Sequence, residues 1–127
     1  MAWNFRDNLP IYSQLVDHLK RSVVSGEYTP GGKLPSVREL AADAGINPNT
    51  VQRAFGELER EGLIYTQRTS GKFVTEDTNK IESAKQELAS SEIRHFLFSM
   101  QSLGFARDMV LTMLENTQEG EEAHANS

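Results

Sequence analysis

The stretch LPSVRELAADAGINPNTVQRAFGELEREGLIYTQRTSGKFV, Leu34–Val74, reads as helix, tight turn, helix and hairpin. Ser36-Val37-Arg38-Glu39 has the form of a capping box. The Ser36 hydroxyl can accept the Glu39 amide hydrogen, and the Glu39 carboxylate can accept that of Ser36. Val37, Leu40, Ala41 and Ala44 then share one helical face. Gly45 stands where a helix end wants a positive backbone angle, and Ile46 is placed to drop into a core. Asn47 can cap a second helix, with Pro48 at its first position, where a missing amide costs nothing. That helix would bury Val51, Ala54, Phe55 and Leu58, at i, i+3, i+4 and i+7. After Gly62 the pattern turns to strand. Leu63 to Arg68 and Lys72 to Thr75 are rich in branched and aromatic residues, and Thr69-Ser70-Gly71 between them reads as a hairpin tip.

Two short helices joined by a tight turn make a helix-turn-helix, and a hairpin behind it makes a wing. The expected fold is mainly α with a small β-hairpin wing. With one face of the second helix buried, Pro48, Asn49, Gln52 and Arg53 face outward at its N-terminal end, the end that enters the major groove in this motif. Asn and Gln can pair in bidentate fashion with adenine, and Arg with guanine. Glu57, Glu59 and Glu61 follow on the later turns and repel phosphate, so only the first half of the helix is expected to approach DNA. The DNA-facing set is completed by Thr50, by Lys33, Ser36, Arg38 and Asn47 around the two helix starts, and by Arg68, Ser70, Gly71 and Lys72 at the wing. A winged helix can also serve protein contacts. The outward Arg38, Asn49, Gln52 and Arg53 favour nucleic acid over that alternative.

LPSVRELA (Leu34 to Ala41), INPNTVQRAFGELEREGLI (Ile46 to Ile64) and SGKFV (Ser70 to Val74), with the Pro-Ile-Tyr start at Pro10, resemble the DNA-binding domain of GntR-family transcription regulators. The resemblance covers roughly residues 8–75. The short remainder is similar to the small YtrA-like subgroup, which carries two helices instead of a large effector domain. By position, the resemblance implies DNA contacts at Arg38, Asn49, Thr50, Gln52 and Gly71, and repression as the default action. The chain departs from the pattern at Pro48, where many relatives carry a basic residue, so one base or phosphate contact is removed.

The net charge of -5 argues against simple nucleic-acid binding, but it is unevenly spread. Residues 1–75 hold nine Lys and Arg against eight Asp and Glu, a net of +1, and residues 76–127 hold four against ten, a net of -6. Binding should therefore rest on a few placed cations and on duplication by dimerisation. There is no cysteine, hence no disulfide and no thiolate chemistry. No segment is long and apolar enough to span a bilayer, and no signal-peptide run opens the chain, so a soluble cytoplasmic protein is expected. Gly31-Gly32-Lys33 lacks the spacing of a phosphate loop. His18, His95 and His124 share no ligand spacing, and no triad, carboxylate pair or nucleophile motif stands out. Neither enzyme activity, cofactor nor metal is expected.

Trp3 and Phe5 in the polar arm suggest that it docks on its own domain or on a partner subunit. Pro10 opens a helix to about Ser25 with a stripe of Ile11, Leu15, Leu19 and Val23, on which His18 reads as a solvated position. Glu27 to Pro35 reads as a loop. From about Lys80 a helical pattern resumes, is interrupted at Gly104, and returns. Its apolar positions Ile81, Leu88, Ile93, Phe96, Leu97, Met100, Leu103, Met109, Val110 and Met113 are too many for two helices to cover between themselves. A second copy packed about a two-fold axis would cover them. The organisation expected is a winged helix-turn-helix over 1–75, a two-helix dimerisation segment over 76–115, and a disordered acidic tail over 116–127. As a homodimer it would bind a double-stranded operator with half-sites about 10 base pairs apart or a small multiple. A small-molecule effector, and the reading of this chain as the head of a longer effector-sensing regulator, stay open.

Overall fold

The computed structural model describes residues 3–6 and 8–118. In chain order it forms α1 (Ile11–Val24), α2 (Val37–Ala44), α3 (Pro48–Arg60), β1 (Ile64–Gln67), β2 (Gly71–Val74), α4 (Thr78–Ser102) and α5 (Arg107–Glu115). The local signals act as their chemistry requires. The Glu39 N–H donates to Ser36 Oγ at 3.1 Å, and the Ser36 N–H donates to Glu39 Oε1 at 3.0 Å, closing the capping box. These bonds hold the Glu39 carboxyl below its ordinary range. Gly45 takes φ +69, and its N–H and that of Ile46 both donate to the Ala41 carbonyl, which ends α2. Two residues on, Asn47 Oδ1 accepts the Asn49 N–H at 2.8 Å and starts α3.

The core gathers one apolar face from each element: Leu15, Leu19 and Val23 of α1, Leu40 and Ala41 of α2, Val51, Ala54, Phe55 and Leu58 of α3, and Ile64 and Val74 of the hairpin. Phe55 is the largest of its fully buried side chains, and burying a side chain of that size contributes about 1.5–3 kcal/mol. Both α1 and α2 pack on α3, not extensively on each other. α3 is thereby gripped from behind, with its other side left to solvent.

β1 and β2 pair antiparallel, Ile64 opposite Val74 and Gln67 opposite Gly71. The segment expected as a loop before α2 is extended where it passes β2. The Gly31 N–H donates to the Val74 carbonyl, the Val74 N–H to Gly32, and the Leu34 N–H to Lys72, with Lys33 bridged to Phe73. The free edge of β2 supplies the backbone partners that a Gly- and Pro-rich stretch cannot advertise through side-chain alternation.

The chain divides into two compact units, one reaching Glu87 and the other beginning at Leu88. Asp77 Oδ1 accepts the Asn79 N–H at 3.0 Å at the start of α4. Ile81, expected among the dimer positions, packs instead against the core of the first unit. In the second unit Gly104, at φ +98, separates α4 from α5. Val110, another expected dimer position, is already buried within the single chain. Ile93, Phe96, Leu103, Met109 and Met113 are exposed, and Leu88, Leu97 and Met100 are half-buried. Of the expected tail, Asn116 caps α5, and residues 119–127 lie outside the described residues. Among the described residues no helix is long and apolar enough to cross a membrane.

Candidate nucleic-acid interface

The burial of Val51, Ala54, Phe55 and Leu58 sets the rotation of α3. It turns Asn49, Gln52 and Arg53 outward, with Pro48 exposed at the helix start and Thr50 half-buried. Among the described residues the Asn49 and Gln52 side chains have no hydrogen-bond partner, so their amide groups are available to a ligand. Arg53 is exposed, as the helical periodicity expects. Its guanidinium lies 4.4 Å over the Tyr12 ring, which ties it to α1 and makes it a brace beside the amides. Ser36 and Asn47 are also engaged within the fold, since their oxygens accept amide hydrogens at the starts of α2 and α3. They hold Arg38 and Asn49 in place. Arg38 itself is exposed on the first turn of α2 and has no ion pair among the described residues.

At the wing, Arg68, Thr69 and Ser70 form an exposed tip closed by the Ser70 N–H donating to the Gln67 carbonyl at 3.1 Å. Gly71 has φ +112, and a Cβ there would stand 3.2 Å from Lys33 Cε. Both facts favour glycine at that position, with the Lys33 stem lying across it. Strand alternation then separates the two residues that follow. Tyr65 and Phe73 stack on one face of the hairpin with centroids 5.8 Å apart. Thr66 and Lys72 occupy the other, toward α3. There the Lys72 Nζ donates to Thr66 Oγ1 at 2.8 Å and pairs with Glu59. Lys72, expected as a wing-tip cation, is half-buried beneath the wing.

That pairing changes the electrostatics of α3. Glu59 is held by Lys72, Glu57 by Arg60, and Glu61 by Lys20 at 2.7 Å. Such partly exposed pairs contribute roughly 0–1 kcal/mol each. Their larger effect is to neutralise the three carboxylates expected to repel phosphate. Hydrogen bonds from Lys72 and Thr66 keep the Glu59 carboxyl below its ordinary range, so it stays charged and the pair stays closed. The cations without an ion pair around this face, among the described residues, include Lys33, Arg38 and Arg68. The arrangement offers amides for base edges and separate cations for phosphate. No group of three or more metal-ligating side chains occurs among the described residues.

Sequence reasoning missed one cluster near α2. The Trp3 Nε1–H donates to Asp43 Oδ2 at 2.7 Å, and the Trp3 ring stacks on His18 with centroids 4.4 Å apart. His18 is thus covered, and its Nε2 is buried without a hydrogen-bond partner. An unusual tryptophan in a polar arm was the signal; its docking place was not in the local pattern.

The family model "Bacterial regulatory proteins, gntR family" matches residues 11–74. The chain is similar to the HTH-type transcriptional regulator YhcF of Bacillus subtilis, 36% identical over 116 residues, 91% of this chain and 96% of the relative. It is also similar to the HTH-type transcriptional repressor YtrA of the same organism, 37% identical over 78% of this chain and 77% of that one. Among solved structures, a GntR family transcriptional regulator from Listeria monocytogenes superposes with a TM-score of 0.82 at 38% identity, covering 90% of this chain and all of that one.

Proposed function

This chain belongs to the gntR family of bacterial regulatory proteins and is a DNA-binding transcription regulator, not an enzyme, and we propose that it acts as a homodimeric repressor on a pseudo-palindromic operator. The observation that carries the reading is the pair of unengaged amides at the start of α3, Asn49 and Gln52, on a helix whose opposite side is locked into the core. They read base edges in the major groove. Lys33, Arg38 and Arg68, with the backbone at Gly71, hold phosphates on either side, and Thr50 adds a contact at the helix start. The exposed apolar residues of α4 and α5 support a second copy as the partner, packed through Leu88, Ile93, Phe96, Leu97, Met100, Leu103, Met109 and Met113. Repression is supported by the name of the relative YtrA, and by the steric block that an occupied promoter presents to polymerase. The protein works in the cytoplasm, where its DNA is.

The test is selection of duplexes from random-sequence DNA by the full chain, with the mass of the complex measured alongside. The expected product has two half-sites related by a dyad and holds two chains. Gln52→Ala should then cost on the order of 1–3 kcal/mol on the selected duplex and little on random DNA. Failure to enrich any duplex at low salt overturns the reading.

A further inference from the structure

The segment from Trp3 to Arg6 precedes the residues matched by the family model, yet it is fastened at both ends. Near α1, Gln14 grips its backbone. The Arg6 N–H donates to Gln14 Oε1 at 2.6 Å, and Gln14 Nε2 donates to the Arg6 and Leu9 carbonyls at 2.8 and 3.0 Å. At the far end Trp3 stacks on Phe5 and on His18 and donates its indole N–H to Asp43. Asp43 stands in the last turn of α2. Since α1 and α2 each pack on α3 and little on one another, the arm is a bridge from α1 to the end of α2.

α2 needs such a bridge. It has eight residues, and of these only Leu40 and Ala41 are buried. A helix that short has little stability of its own, so its tilt depends on what holds its ends. The capping box and Leu40 hold the start, and Trp3 holds the finish. Arg38 lies five positions before Asp43, about 140° away round the helix. The strap therefore acts from a different side of α2 and leaves the arginine clear for phosphate.

We propose that Trp3 is a positioning residue for DNA binding: through Asp43 it fixes the set of α2, and so the place of the Arg38 guanidinium beside the recognition helix. This rests on the reading of Arg38 as a phosphate contact. A tryptophan suits the task because one side chain supplies both a broad stacking face and a donor for a charge-assisted hydrogen bond. Simple electrostatics has the opposite sign. Removing the Asp43 charge would by itself tighten binding to a polyanion, whereas loss of the strap weakens it.

The experiment measures affinity of the full chain for the selected duplex at two salt concentrations. Trp3→Ala and Asp43→Ala should each weaken binding about tenfold and lower the salt slope, as Arg38→Ala does. Asp43→Asn, which keeps an acceptor oxygen, should retain wild-type affinity within about twofold. Trp3→Ala combined with Arg38→Ala should lose no more than Arg38→Ala alone, because both act through one contact. A merely structural Trp3 would give losses that multiply, and that result overturns the proposal, as does tighter binding by Asp43→Ala. Trp3 is the single tryptophan of the sequence, so its emission reports the arm directly. Asp43→Ala should shift that emission toward solvent-exposed indole, and an unchanged spectrum overturns the strap. If the unaltered chain enriches no duplex, the function reading itself has failed; if it binds and the variants multiply, only the strap has.

Discussion

Phe55 on α3 is 1% exposed, whereas Phe98 on α4 is 70% exposed and Leu103 beyond it 71%. Both units are built from amphipathic helices, but they close their apolar faces differently. In the first, three helices and a hairpin each turn one stripe toward a common centre, and nothing large and apolar is left over on α2 or α3. In the second, the end of α4 and the nine residues of α5 present apolar side chains in more directions than two helices can cover. At about 25 cal/mol per Å² of apolar surface, leaving such a face in water is a standing incentive to associate. The first unit closes its apolar faces within one chain; the second leaves apolar side chains exposed, and the proposed cover for them is a second copy.

The largest expected effect tests the completeness of the first unit. Phe55→Ala should destabilise it by about 3–5 kcal/mol, by the same amount at every protein concentration, as read by denaturant unfolding. Leu103→Asp should act the other way. At so exposed a position in a lone chain the change would stay within about 0.5 kcal/mol. Buried against a second copy, the carboxylate should remove about 3 kcal/mol of association, and the sedimenting mass should fall to that of one chain. An unchanged mass would break the contrast between the units.

Lys72 sharpens it on a smaller scale. The Glu59 carboxyl is lowered from 4.5, first by its hydrogen bond from Lys72 and then by that from Thr66. Because the folded pKa lies below the unfolded one, the pair stabilises the wing above 4.5, and this contribution is lost as the pH falls through the folded value. Lys72→Met should cost about 1 kcal/mol at neutral pH and flatten the acid side of the stability profile. Since Lys72 faces α3, the salt slope of DNA binding should not change. The smallest effect is a gain. Gly56 lies in the interior of α3 with nothing within 4 Å of where a Cβ would stand, so Gly56→Ala should stabilise the first unit by about 0.5–1 kcal/mol in thermal unfolding. It should leave association untouched.

The parts of the fold that could be read in advance are those whose causes lie within a turn or two of chain. Ser36 with Glu39, Gly45, and Asn47 with Pro48 mark helix ends by bonds that span two to four residues. The apolar spacing of α3 likewise dictated which of its side chains face out, so Asn49 and Gln52 were legible as candidate readers. Lys72 was not. Its direction follows from the register of a hairpin with Arg68-Thr69-Ser70 at the tip, and a shift of one residue would send it to the other face. For Arg53, periodicity shows that it points away from the core, but not that Tyr12 of another helix lies beneath its guanidinium.

What the sequence by itself determined is the identity of the elements, their ends and the buried face of each, because short-range hydrogen bonds and helical periodicity need no distant partner. Tertiary structure alone decided the pairing of Gly31 to Leu34 along β2, the union of Trp3 with Asp43, and the place of Ile81 in the first unit. Those contacts join residues many positions apart, and their geometry exists only once separate elements have packed and brought unlike surfaces within bonding distance.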